Sequence, residues 1–208
     1  MNKPNTFPLW LFIITPATSA LVIAITLMAH GYNEDGLLLT ARYTVRVGLP
    51  LFLLAYSASA LTRLFPSQTT RWIRRNRRYI GINFAVAHFI HMGAFTLYFV
   101  TLEEAPDIGT LVGGGSVYVL IALMALTSNN WSVRTLGKAW PLLHRIGIHA
   151  TWAVFLVTYM GRVSDPGQAT TGIIGMATLL LFAALRATAF GLKHRRQKST
   201  IRTDAGVT

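Results

Sequence analysis

Long apolar runs alternate with short polar ones along this chain, and the run lengths predict its architecture. Pro8 to Ala29, Tyr79 to Leu102 and Ile108 to Thr127 carry no Asp, Glu, Lys or Arg. Each approaches the roughly 20 apolar residues that cross a bilayer as a helix. Three further runs hold an arginine near one end: Val47 to Thr62 preceded by Arg46, Trp140 to Gly161 containing Arg145, and Ala169 to Leu192 containing Arg186. Such side chains can bury their stems and snorkel the charge to the interface. The pattern predicts an all-α, polytopic membrane helix bundle of six transmembrane helices. Gly31 to Asp35 falls in an outer loop, while Phe65 to Asn76 and Ser128 to Ala139 form inner loops. The whole chain, residues 1–208, is expected to be a single membrane domain with a short basic tail at about 193–208.

Charge orients the bundle. With the N-terminus inside, Arg71, Arg74, Arg75, Arg77, Arg78, Arg134 and Lys138 all fall on the cytoplasmic side. So do Lys193, Arg195, Arg196, Lys198 and Arg202 of the tail. Glu34, Asp35, Glu103, Glu104, Asp107 and Asp165 fall opposite. The Lys/Arg part of this asymmetry is the positive-inside bias, so both termini are expected to be cytoplasmic. The net charge of +12 then follows from topology, and the competing reading of the arginines as a nucleic-acid patch is set aside. Lys3 ahead of an apolar run also suggests a signal peptide. That run outlasts the roughly 7–15 residues of a signal core, so an uncleaved anchor is expected.

The absence of cysteine excludes disulfides, thiolate metal sites and covalent c-type haem attachment. Gly113, Gly114 and Gly115 lack the lysine and preceding strand of a phosphate-binding loop, and they fit close helix packing better. What remains is imidazole. His88 and His91 sit on one apolar run, and His144 and His149 on another. Ionisable residues inside spans are costly, so they are functional candidates. His88 and His91 share a helix face, about 15 and 20 Å along the helix from Arg78. His144 and His149 diverge by about 140° around theirs. Haem suits such a set, because its iron takes axial imidazoles from two facing helices. Arg42 and Arg46, one turn apart at the outer end of the second helix, could then meet its propionates. A non-haem metal site is weakened by the lack of intramembrane carboxylates. The bland alternative is that the histidines bond neighbouring helices and the arginines snorkel.

Further residues carry a resemblance. The string Arg77-Arg78-Tyr79-Ile80-Gly81-Ile82 followed by His91 resembles the start of the third helix of the ferric reductase-like transmembrane domain. The run from Leu123 through Thr127, Trp131, Arg134, Leu136, Gly137 and Trp140 to Leu143-His144-Arg145 looks like that domain's inner loop and fifth helix. The likeness covers roughly residues 42–161. It is nearest to the haem-binding membrane subunits of bacterial methionine sulfoxide reductase systems, with NADPH oxidases and metalloreductases more distant.

The resemblance implies a multi-pass protein of the bacterial inner membrane that binds haem b between the third and fifth helices and passes electrons. It matches His91 to the family's third-helix ligand and His144 to the histidine of its LHR motif. Val157 stands where the nearest relatives carry a further fifth-helix histidine, so either His149 or His88 substitutes with a shifted haem or the site is altered or lost, and one haem is expected rather than two. The chain shows no flavin or nucleotide domain, so the donor is expected to be a separate cytoplasmic flavoprotein or a membrane quinol. The acceptor would be a periplasmic redox partner, a quinone or a metal chelate. Trp131, Trp140 and Arg134 read as a donor-docking patch, or the two tryptophans as an interfacial aromatic belt. The competing class is a non-enzymatic membrane protein, such as an assembly factor, sensor or transporter subunit, that keeps the fold without redox chemistry.

Overall fold

Apolar composition makes these segments helical, because backbone groups in hydrocarbon must be satisfied within the segment. The structure, a computed structural model, describes residues 8–204, with side chains through residue 193. Lys3 and the side chains of Arg195, Arg196, Lys198 and Arg202 lie outside the described residues. In order come α1 (Leu9–His30), α2 (Glu34–Leu64), α3 (Gln68–Arg75), α4 (Arg77–Thr101), a π-helical turn (Thr110–Gly114), α5 (Gly115–Leu126), α6 (Asn130–Leu136), α7 (Ala139–Val163) and α8 (Ala169–Asp204). Five helices are long and apolar enough to cross a membrane, and six if α5 with its π-turn and α6 count as one bent span.

Several boundaries differ from the hydropathy pattern. The second helix starts at Glu34 rather than near Val47, because its polar residues satisfy themselves locally. Asn33 Oδ1 accepts from Gly36 N at 2.9 Å, and Thr40 and Thr44 donate to the carbonyls four residues back at 2.7 and 2.8 Å. Glu34 and Asp35, expected in a loop, form its first turn, where carboxylates oppose the helix dipole favourably. Both inner loops contain a short helix. α3 carries Arg71, Arg74 and Arg75 on its exposed side with Ile73 buried, and α6 is capped by Asn129, whose side chain accepts from Ser132 N at 2.8 Å. The expected tail is instead a continuation of α8 as far as Asp204.

The chain packs as two compact units. One comprises Met1–Phe52 and Asn76–Val154, the other Leu53–Arg75 and Phe155–Thr208. In the first, α1 packs against α4, and α1 buries the small residues Thr15 and Ser19. Small residues of this kind let membrane helices approach closely. Phe12 meets Tyr79 edge-on at 6.5 Å, so the N-terminal ends of α1 and α4 lie on one side. Gly48 of α2 faces Phe84 and Ala87 of α4.

In the second unit, arginines clip α2 to α8. Arg63 Nη1 donates to Ala189 O at 2.6 Å, and Arg186 Nη1 donates to Tyr56 O with its guanidinium 4.2 Å above the Tyr56 ring. Arg186 therefore does not snorkel: its charge is met by a carbonyl and an aromatic face.

Candidate functional site

Every candidate residue lies in the first unit, where the structure places His88 with His91 in one cluster and His144 in another at a different level, while His149, Arg42 and Arg46 join neither. The deeper cluster is built on α4. His88 is buried and His91 half-buried, with ring centroids 5.4 Å apart. Around them Phe84 lies 5.1 Å from His88, Tyr118 of α5 lies 4.9 Å from His88, and Phe95 lies 6.0 Å from His91. His91 turns toward α2, where its Nδ1 is 3.3 Å from Thr44 Oγ1. Thr44 is fully buried.

The second cluster is at the end of α4 that bears Arg78. Arg78 Nη2 donates to Asn130 Oδ1 at 2.9 Å, tying the starts of α4 and α6. Just before α6, Thr127 Oγ1 lies 3.2 Å from His144 Nε2. Trp140 stacks on His144 with centroids 4.1 Å apart and planes 30° from parallel, while its Nε1 donates to Thr127 O at 2.8 Å. His91 is about 20 Å along α4 from Arg78 by helical rise, so His91 and His144 are at different levels. His149 is exposed, about 140° around α7 from His144. Among the described residues no group of three or more His, Cys, Asp or Glu converges as a metal site.

Arg42 and Arg46 are half-buried. They lie about 160° and 200° around α2 from Thr44, so the helix face that bears them is not the one that meets His91. Arg46 lies over the Tyr43 ring at 4.8 Å, and its buried Nε has no hydrogen-bond acceptor. A buried guanidinium donor without an acceptor is costly, and the carboxylate of a ligand is the group that would satisfy it. Imidazoles in an apolar bundle, with one buried guanidinium N–H of the half-buried Arg46 left without an acceptor, form a donor set that fits haem. Tyr118 and Thr44 were not singled out from sequence, and Thr127 stood out only as part of the run that carries the resemblance. The sequence signal for Thr44 is no more than its place one turn after Thr40, just ahead of an apolar run.

A separate groove, open and apolar, is lined by Ile82, Ala85, Val86, Phe89, Ile90 and Ala125. On α4 it falls roughly opposite the histidine face.

These features define a multi-pass helical membrane protein with a pair of histidines on α4 and a single one, His144, at a different level. Curated proteins similar to it are called protein-methionine-sulfoxide reductase heme-binding subunit MsrQ. The one from Agrobacterium fabrum is 26% identical over 137 residues, covering 61% of this chain and 62% of its own length. Those from Brucella ovis and Brucella canis are 29% identical over 122 residues, 54% of each chain. This chain thus spans between 54% and 62% of the length of these relatives. No protein-family model matches it, and no solved structure does.

Proposed function

We propose that this chain is a membrane b-type haem protein of the bacterial inner membrane, with both termini cytoplasmic. It would carry electrons between a separate cytoplasmic flavoprotein or quinol donor and a periplasmic, quinone or metal acceptor. The observation that carries this reading is His91, an imidazole deep in an apolar helix whose Nδ1 is met by Thr44 Oγ1 at 3.3 Å. Metal-binding histidines characteristically engage their other ring nitrogen in this way. The names of the similar proteins point in the same direction.

When bound, haem supplies a one-electron iron couple. The chain's own residues do the rest: His91, with His88, His144 and His149 as the further candidates, offers imidazole nitrogens. Arg42 and Arg46, one turn apart on the other face of α2 from the one that meets His91, are cations for propionates that extend past that helix, and the surrounding Phe84, Phe95 and Tyr118 rings keep water from the site.

The test is the colour of the protein purified in detergent after haem-sufficient expression. A Soret band that shifts on dithionite reduction is expected, with His91→Ala losing it. A colourless chain that still folds would leave the non-redox membrane protein as the answer. Arg46→Gln should lower haem affinity, because a carboxylate loses a charge-assisted partner worth about 1.5–3 kcal/mol, and haem titration of the apo-protein measures it.

A further inference from the structure

Two histidines of this chain are each held by a threonine hydroxyl, and the two holds are opposite. Thr44 Oγ1 lies 2.8 Å from Thr40 O and 3.1 Å from Ala41 O. A hydroxyl has one proton, and at that separation the proton must sit between hydroxyl and carbonyl, because bare lone pairs would repel. Thr44 therefore turns a lone pair toward His91 Nδ1, and the imidazole must supply the proton. A neutral imidazole carries a single N–H. With that proton on Nδ1, the basic lone pair is on Nε2.

At the other cluster Thr127 Oγ1 donates to Leu123 O at 2.6 Å and faces His144 Nε2, not Nδ1, at 3.2 Å. The same argument places the His144 proton on Nε2 and the lone pair on Nδ1. Trp140 closes this arrangement, stacked on the ring while its indole N–H donates to the backbone of the same threonine. Turning the imidazole over would cost the Thr127 bond.

We propose that Thr44 is a positioning residue that fixes His91 as the Nδ1–H tautomer and makes Nε2 its iron-binding atom. Thr127 and Trp140 hold His144 in the opposite tautomer and commit it to a structural contact, which withdraws it from the further ligand candidates named above and leaves His88 and His149. The tautomers rest on this chain's own hydrogen bonds, and the consequence for iron rests on the haem reading above. Nε2 lies at the far edge of the ring, where a flat macrocycle can approach. Nδ1 is beside Cβ, where a macrocycle would collide with the ligand's own backbone. A proton donated from Nδ1 to an oxygen also raises the basicity of Nε2.

The test has two arms. In the first, the full chain is labelled with nitrogen-15 histidine in detergent without haem, at about pH 8.5, above the ordinary imidazole range. His91→Gln and His144→Gln variants assign the signals. The expected result is a protonated Nδ1 for His91 and a protonated Nε2 for His144. The reverse tautomer at His91, or averaging between the two, overturns the proposal.

In the second arm, haem is titrated into wild type, Thr44→Val, Thr44→Ser and Thr127→Val. Thr44→Val should lose about 10- to 100-fold in haem affinity, the effect of removing a histidine's outer partner, and its midpoint potential should rise. Thr44→Ser should restore both, and Thr127→Val should change neither. Equal losses in Thr44→Val and Thr44→Ser would mean that the side chain only packs, which overturns the positioning role. A wild type that binds no haem overturns the haem reading and the iron half of the proposal together. The tautomer result then stands or falls by the first arm alone.

Discussion

Asp107 shows how one side chain sets a local boundary in this chain. It precedes the π-helical turn and accepts from Thr110 Oγ1 at 2.6 Å and from Thr110 N at 3.0 Å. The Thr110 hydroxyl, with the backbone N–H behind it, holds the carboxyl below its ordinary value of 3.8. A depressed folded-state value means that these bonds support the helix start above the unfolded-state value, and the support disappears as pH falls through the folded one. A residue-specific titration of Asp107 should give a midpoint below 3.8, with Thr110→Val moving it upward. A midpoint unaffected by that change contradicts the assignment. At this scale the sequence was partly legible. The sequence placed Asp107 at the outer edge of its apolar run, and the cap it makes became visible only in the structure. The partner of a buried histidine is not legible in sequence at all, because any of several hydroxyls on any facing helix could serve.

At the scale of elements, close packing depends on glycines whose role periodicity does not announce. In the second unit Gly172 and Gly175 of α8 lie against α7. A Cβ on Gly172 would come within 2.9 Å of Tyr159 O and 2.7 Å of Val163 N, and one on Gly175 would fall inside the Tyr159 ring. Backbone cannot yield, and the Tyr159 ring is buried. Gly172→Ala and Gly175→Ala should each destabilise by about 1–3 kcal/mol through overpacking. Gly93→Ala, which meets nothing within 4 Å, should stay within about 0.5 kcal/mol. Thermal unfolding in one detergent compares the three, and equal midpoints would refute the packing. The early start of α2 belongs to this scale too. Thr40, Arg42, Thr44 and Arg46 dilute its hydropathy, yet the threonines bond back to their own helix and cost it little.

For the whole molecule, the absence of cysteine makes sidedness directly measurable. Single cysteines at Asp35 or Glu104 should react with an impermeant thiol reagent in intact cells. Single cysteines at Arg74 or Lys138 should react only after permeabilisation. Labelling of all four from outside would defeat the positive-inside assignment. The sequence by itself determined the number of apolar runs, their helical character and the asymmetry of charge between their ends. These are sums of local transfer free energies and are nearly independent of the neighbours. It also marked the four histidines as the residues to explain. Only the tertiary structure decided which of them share a level and which nitrogen His91 and His144 turn toward a threonine. Those properties depend on contacts between residues 47 positions apart for His91 with Thr44 and 17 apart for His144 with Thr127. The spacing of histidines along their own helices carries no trace of such contacts, because a proton's place on an imidazole is set by the oxygen that faces it.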